Sequence, residues 1–243
     1  MKDNELIEIA FVFSQRPNQK ELQSLFGTLM QRSRQETNTD QFDLAFWDDT
    51  SDIQRVKGDS IEAADRFTSH AVSTITIPLS GFRLAVGAEY TGGIIEPVPH
   101  LYLSEQIHPF TDSYNTDGDD AIVAQRRQNF VEILAQAADI LEPTWGFGRR
   151  GGLAIGEDET IEDLATRTKP PLYEYNVFRP ETVKAIGREK VLSAPAYYVE
   201  ELDSGGVFMA VTEPPKQCGH EGQQCEEVAD QLGLDLSTPE RYH

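Results

Sequence analysis

The chain predicts an α+β fold: a largely antiparallel or mixed sheet with several amphipathic helices packed on it. Three observations carry this. Leu6 to Phe13 is apolar on both faces, as a strand in the middle of a sheet is. Leu22, Leu25, Phe26, Leu29 and Met30 repeat at the helical period. From His70 onward the period switches to two and holds across a Ser80–Gly81 turn, so 72–90 reads as a β-hairpin. A chain of 243 residues buries a sizeable core, and one compact domain over 1–243 is expected; the alternative division is two packed halves meeting near 143–170.

The elements follow in order. Pro17 and Asn18 open the first helix, and Glu21, three residues after Asn18, completes a capping box. Phe42 to Trp47 is a short strand, Asp48 to Lys57 is polar, and Ser60 to Thr68 is a helix capped by Asp59 or Ser60. In the hairpin, Pro78 belongs off a fully paired position because it has no N–H to donate. Thr91, Gly92 and Gly93 turn the chain into Ile94 and Ile95, and Leu101 to Leu103 adds a strand. Phe110 to Asp120 is a polar loop. A long helix from about Asp119 to Leu141 buries Val123, Phe130, Leu134, Ala137 and Leu141, with Pro143 beyond its end. The acidic run GEDETIEDLATRTKPP is surface with one helical turn. Tyr173 to Phe178 is a strand, Pro180 starts a helix and Gly187 stops it. Tyr197 to Leu202 and Val207 to Val211 form a hairpin, since Gly205 and Gly206 can take positive φ. In the C-terminal helix Cys225 shares an apolar stripe with Val228, Ala229 and Leu232.

Charge bounds the partners. There are 41 acids against 21 bases, a net charge of -20, and the bases divide into seven lysines and fourteen arginines. A dense carboxylate shell with few lysines suits concentrated salt, which screens its self-repulsion; an ordinary acidic protein is the alternative. Nucleic acid is not an expected partner, because phosphate binding needs a basic stripe and no basic run exceeds Arg126–Arg127 or Arg149–Arg150. No stretch approaches about 18 consecutive apolar residues, so no membrane partner is expected either. The N-terminus reads as a strand, not a signal peptide. Two cysteines are too few for a secreted disulfide framework, and a cytoplasmic location is expected.

Few motifs carry chemistry. GFGRRG, residues 146–151, fits the G-x-G-x-x-G spacing of a dinucleotide turn, but that turn needs a strand before it and a helix after it. Here a helix and Pro143 precede and GLAIGEDE follows, so the segment reads as a glycine loop and no cofactor is expected. The loop gathers Trp145, Phe147, Arg149 and Arg150, a cluster that suits a protein contact; the favoured alternative is a turn whose aromatics pack inward while its arginines pair with nearby carboxylates. DSYNTDGDD places Ser113, Asn115, Asp117 and Gly118 as an EF-hand would, but Ala124 stands where the bidentate Glu belongs. Cys218, His220 and Cys225 are the candidate metal ligands, against which stand the absence of paired C-x-x-C spacing and the helical stripe of Cys225. No metal is expected. No nucleophile elbow, zincin helix or P-loop occurs, and no catalytic residue is assigned.

Residues 180–215, PETVKAIGREKVLSAPAYYVEELDSGGVFMAVTEPP, run as a helix, a small-residue segment and a hairpin around a D-x-G-G turn. This stretch resembles the C-terminal part of immunity proteins of polymorphic-toxin and type VI secretion systems. The resemblance implies an α+β protein without catalysis that binds and blocks a cognate toxin; it places no binding residue on this sequence. An acidic inhibitor would be steered toward a basic toxin. The alternative is an enzyme whose site gathers His70, His100 or His108 with carboxylates at the sheet edge.

Overall fold

The computed structural model describes residues 6–47, 53–70, 72–89, 99–111, 120–153, 155, 159–218 and 223–237. Ten strands form one sheet, in the order β3-β2-β4-β5-β6-β1-β7-β8-β10-β9. They are β1 (Leu6–Val12), β2 (Phe42–Trp47), β3 (Ile53–Gly58), β4 (Val72–Leu79), β5 (Phe82–Glu89), β6 (His100–Gln106), β7 (Trp145–Arg150), β8 (Tyr175–Phe178), β9 (Tyr198–Glu201) and β10 (Val207–Ala210). Every strand pair is antiparallel. The helices are α1 (Gln19–Thr37), α2 (Ser60–Ser69), α3 (Asp120–Leu141), α4 (Ile161–Thr166), α5 (Pro180–Ile186), α6 (Arg188–Leu192) and α7 (Gln223–Leu232). The fold is α+β, and no described helix is long and apolar enough to cross a membrane.

β1 is central because its two faces are both apolar. Ile7, Ile9, Phe11 and Phe13 join the larger core, which continues through Ile75, Ile77, Leu84, Val86, Leu101 and Leu103 and is roofed by α1, α2 and α3. Ala10 and Val12 face the other side, under Trp145, Phe147, Tyr173 and the α4 residues Ile161 and Leu164. Beyond them a third cluster packs Phe178, Val207 and Met209 beneath α5, α6 and α7. Among the described residues one face of the sheet is therefore covered along its length, and the other is covered from β1 to β10. Across β2, β4, β5 and β6 that second face carries Ala45, Thr74, Thr76, Ala85 and Ser104, all half-exposed. These side chains are too small and polar to anchor another layer.

Local chemistry sets the ends. In α1 the Asn18 side chain accepts from the amides of Lys20 and Glu21, and a Glu21 carboxylate oxygen accepts from the Asn18 amide at 2.8 Å. Asp59 caps α2 the same way, through Ile61 and Glu62. Pro78 pairs with Arg83 on β5 while the β2 register stops at Thr76, which leaves its missing N–H outside a second ladder. Gly187, at φ 108°, both ends α5 and begins α6, a helix the sequence does not signal.

Three expectations are corrected. GFGRRG is a strand, β7, hydrogen-bonded between β1 and β8, not a loop. Its glycines serve close approach: a Cβ at Gly148 would lie 2.4 Å from Ile9 Cγ1 and 2.7 Å from the Glu8 carbonyl oxygen, and one at Gly146 2.6 Å from Val177 Cγ2. The polar stretch before α2 contains strand β3, exposed over five of its six residues because it lies at the sheet edge. Cys225 is buried on the α7 stripe as expected, yet it is not a free thiol: it forms a disulfide with Cys218. The turn expected at 91–95 and the DSYNTDGDD loop from Ser113 to Gly118 lie outside the described residues.

Candidate functional site

Two buried carboxylates stand apart from the solvated acids. Glu174 precedes β8 and points to the covered side of the second face, where it is 2% exposed. Its two oxygens accept from the backbone N–H groups of Cys218 at 2.9 Å and Arg150 at 3.1 Å. Burial raises its pKa to about 7, against the pull of those two amides and of the Arg149 and Arg150 charges. The disulfide that ties Cys218 to α7 thus also holds the donor that Glu174 needs.

Glu105 is the second. It sits on β6 opposite Ile7, 5% exposed, and burial likewise raises its pKa to about 7. The Gln106 and Arg83 amides and the Arg83 guanidinium oppose that rise. Glu105 Oε1 accepts from the Gln106 N–H at 2.8 Å, whereas Oε2 has no hydrogen-bond partner. Glu105 lines an open hollow of about 560 Å³ with Arg83, Thr76, Ser104, Phe82 and Pro109. A neighbouring hollow of about 510 Å³ is lined by Arg55, Lys57, Thr74 and Ala45 and shares Thr76 and Arg83 with the first. The second runs along the uncovered sheet face toward the β3 edge, whereas the first opens at the end of the sheet, where core-face Leu79, Phe82 and Glu105 meet Thr76, Arg83 and Ser104 of the uncovered face. Tyr102 lies flat on this face, its ring occupying the space where a Gly87 side chain would project.

Arg32, Arg66, Arg127, Arg167, Arg179 and Arg188 each pair with a carboxylate. Lys57 pairs with Asp43 at 2.7 Å. Among the described residues Arg34, Arg55 and Arg83 are in no ion pair, although the Arg83 guanidinium acts on the Glu105 carboxylate.

The residues singled out in the sequence are placed otherwise. Trp145 and Phe147 stack at 4.3 Å and are 2% and 0% exposed, packed inward against Tyr173. Arg149 is buried opposite Glu8 on β1, and Arg150 Nη1 donates to the Pro215 carbonyl at 3.3 Å. The four do not form one surface, because alternation along a strand sends Arg149 and Arg150 to opposite faces. His70 caps α2 with its ring 4.5 Å from Phe46, His100 is buried at the start of β6, and His108 lies exposed in a 3-10 turn. None of the three lines the hollows that hold Glu105 and Arg83. Of the metal candidates, Cys218 and Cys225 are joined to each other and His220 lies outside the described residues. No group of three or more metal-ligating side chains occurs among the described residues. Glu105, Glu174 and Arg83 carry no signal in the sequence, since each is one charge among many until the register buries or exposes it.

No family model matches the chain, and no curated protein matches it. A solved structure does. It is the Pseudomonas aeruginosa T6SS protein PA0821, which superposes with a TM-score of 0.55 over 96% of this chain and 74% of its own, at 12% identity. At that identity the likeness is one of fold.

Proposed function

We propose that this chain is a non-catalytic protein-binding module of a type VI secretion setting, an immunity-type inhibitor that captures a toxin. The observation that carries the proposal is the extent of the fold likeness: it spans nearly the whole chain, not a common sub-motif, and the protein it reaches is a T6SS protein. Fold alone does not fix function. Two further features support the reading. The segment that resembles immunity proteins forms α5, α6 and the β9–β10 hairpin, a helix-then-hairpin unit at one end of the sheet. At the other end lies a sheet face that no described residue covers, with β3 as the edge strand of the described sheet, the kind of surface that accepts a protein partner by extended contact. The large negative charge would hasten encounter with a basic toxin.

The disulfide bears on where this happens. The sequence leads to a cytoplasmic expectation, whereas a Cys218–Cys225 bridge persists in an oxidising compartment. On the proposed reading the chain meets its partner outside the reducing cytosol.

The test is genetic and biochemical. Products of the neighbouring genes are expressed in a host with and without this chain, and growth and co-elution are measured. Rescue from one product, with a stable complex on gel filtration, is the expected result. Neighbouring products that are toxic regardless of this chain, or that never co-elute with it, would overturn the proposal.

A further inference from the structure

Beyond β10, residues 213–218 form a strap that crosses the end of β7 and caps the buried carboxyl of Glu174. Its near end is held on two sides: the Val211 N–H donates to the Glu174 backbone carbonyl at 2.7 Å, and Glu213 pairs with Arg127 of α3 at 3.1 Å. The far end has lighter ties. Arg150 Nη1 reaches the Pro215 carbonyl at 3.3 Å, Gln217 Nε2 reaches the Arg150 carbonyl at 3.2 Å, and the Cys218 N–H donates to Glu174 at 2.9 Å. Lys216 and Gln217 are polar, so among 216–218 only Cys218 packs on the third cluster, and its bond to Cys225 fixes it there. Helix α7 needs no such help: Val228, Ala229 and Leu232 are buried beside Cys225, and the Gln224 and Gln231 side chains donate to the Pro195 and Lys190 carbonyls at 3.0 and 2.9 Å. Cutting the bridge therefore leaves α7 seated and the strap's far end held by hydrogen bonds that water replaces at small net cost.

The two sulfurs differ. Cys225 is buried, whereas Cys218 is half-buried and is the one a reductant can reach. Cys225 also lies in the first turn of α7, where unpaired helical N–H groups favour a thiolate leaving group. We infer that Cys218–Cys225 is a reducible bridge and residues 213–218 a gate: a dithiol reductant opens the strap over Glu174, and reoxidation closes it. In the first step a thiolate of the dithiol bonds to Cys218 Sγ, the Cys218–Cys225 bond breaks, and the electron pair leaves on Cys225, which takes up a proton. In the second, the reductant's other thiol, deprotonated, attacks its own sulfur in the mixed disulfide, and Cys218 leaves as a thiolate and is protonated. The reductant ends as a disulfide, and two electrons and two protons have passed to the protein. This goes beyond toxin capture and does not depend on it; it makes the surroundings of Glu174 differ between a reducing and an oxidising compartment.

Protons bias the gate with a definite sign. With the strap closed, burial raises the Glu174 pKa to about 7; with it open, the carboxyl meets water and returns toward the ordinary 4.5. The protonated carboxyl thus favours closure, and opening gains as pH rises from 4.5 to 7 and then levels off. Between pH 5 and pH 8 the ratio of open to closed strap rises by up to roughly seventyfold. The charges facing Glu174 are Arg149 and Arg150 of β7. On the strap Lys216 and Glu213 pair with each other at 3.3 Å, and on β1 Glu8 lies opposite Arg149 and accepts from the Leu153 N–H at 3.0 Å. Tyr175, next along β8, is held neutral by its own burial and by the Glu174 charge. α7 turns Cys225, Val228, Ala229 and Leu232 inward, none of which carries a charge.

Amide hydrogen exchange on the full chain, followed by NMR and expressed as protection relative to an unstructured chain at the same pH, tests both the bridge and the sign. The amides at 216 and 218 report on the strap; those of Val211 and Gly151, which donate to the Glu174 and Leu6 carbonyls, serve as references and correct for any global destabilisation. Dithiothreitol is the dithiol. It is expected to reduce the native protein without denaturant, after which the strap amides lose at least about tenfold more protection than the references at pH 8. Cys218→Ser cuts the bridge at every pH; in that variant strap protection falls further from pH 5 to pH 8, and adding Glu174→Gln removes this pH dependence. Reduced wild type, compared at pH 6.5 and pH 8, carries the same test should Cys218→Ser fail to fold. A bridge that dithiothreitol cuts only in denaturant, strap amides that lose no more protection than the references, or strap protection that stays flat or rises with pH would each overturn the proposal. A chain that opens as described yet neutralises no neighbouring toxin keeps the gate and loses the immunity reading.

Discussion

Replacing Glu174 by glutamine exchanges a buried acid for a neutral group of the same shape, and the consequence reverses with pH. In the folded chain burial raises the carboxyl pKa to about 7, against an ordinary glutamate value of 4.5 in the unfolded chain. The folded pKa is raised, so the sign is that of an acid disfavoured by burial: the penalty is absent below 4.5, grows as pH rises from 4.5 to 7, and is complete above 7. That interval, at about 1.4 kcal/mol per pH unit, amounts to about 3 kcal/mol. Glutamine carries no such penalty. It has one accepting oxygen for the two N–H groups of Cys218 and Arg150, so one of them loses its partner at a cost of about 1–3 kcal/mol at any pH. The variant is therefore less stable than the wild type at pH 5 and close to it, or more stable, at pH 8. For a chain of this size the difference between variant and wild type should change by roughly 5–10 °C in melting temperature across that range. Thermal melts of both proteins at pH 5, 6, 7 and 8 in molar potassium chloride give the answer, and the subtraction cancels Glu105 and the overall charge. A melting-temperature difference that stays constant with pH would refute the reasoning.

Elements whose signals are local could be read from the sequence. The capping box of Asn18 and Glu21, the stripe from Leu22 to Met30 and the Ser80–Gly81 hairpin all form as their spacing dictates. Elements whose signals are ambiguous could not. Glycine in GFGRRG was equally consistent with a turn and with a strand under close approach; the alternation of Trp145, Phe147 and Arg149 with Gly146 and Gly148 was the period-2 sign that distinguished them. β3 escapes because an edge strand needs no apolar face. The candidate site is the least legible part. Nothing local marks Glu105 among 41 acids; only the β5–β6–β1 register sets it on the core face beside Ile7, and only the termination of β4–β5 at Gly81 opens a hollow there. Likewise Cys225 could be placed on its helix face, but the partner that closes the disulfide depends on how the 212–218 segment returns to Glu174.

The remaining predictions test β7, the disulfide and the surface charge. Gly148→Ala should destabilise the fold by about 1–3 kcal/mol and lower the melting temperature accordingly, because the new Cβ meets backbone atoms of β1 that cannot give way, while millimolar NAD or ATP leaves wild-type melting unchanged; stabilisation by either nucleotide, lost in Gly148→Ala, would show that this segment binds a nucleotide. The oxidised protein should show no thiol to Ellman's reagent under denaturing conditions and two after reduction, and reduction should destabilise it by about 2–3 kcal/mol for a loop this short; two thiols without reductant would remove the bridge. Finally, potassium chloride should raise the melting temperature continuously to molar concentration. With 41 acids and a net charge of -20, mutual repulsion opposes the compact state, and most of that repulsion acts between charges farther apart than the screening length of about 3 Å at 1 M salt. The surface ion pairs weaken over the same range, but exposed pairs contribute about 0–1 kcal/mol each and are few beside the unpaired acids. Repulsion therefore decides the sign. Sodium sulfate at equal ionic strength must be run alongside, since it also strengthens apolar burial; a melting temperature that rises in sulfate and not in chloride would show that the carboxylate shell imposes no strain and would remove the high-salt reading of the composition.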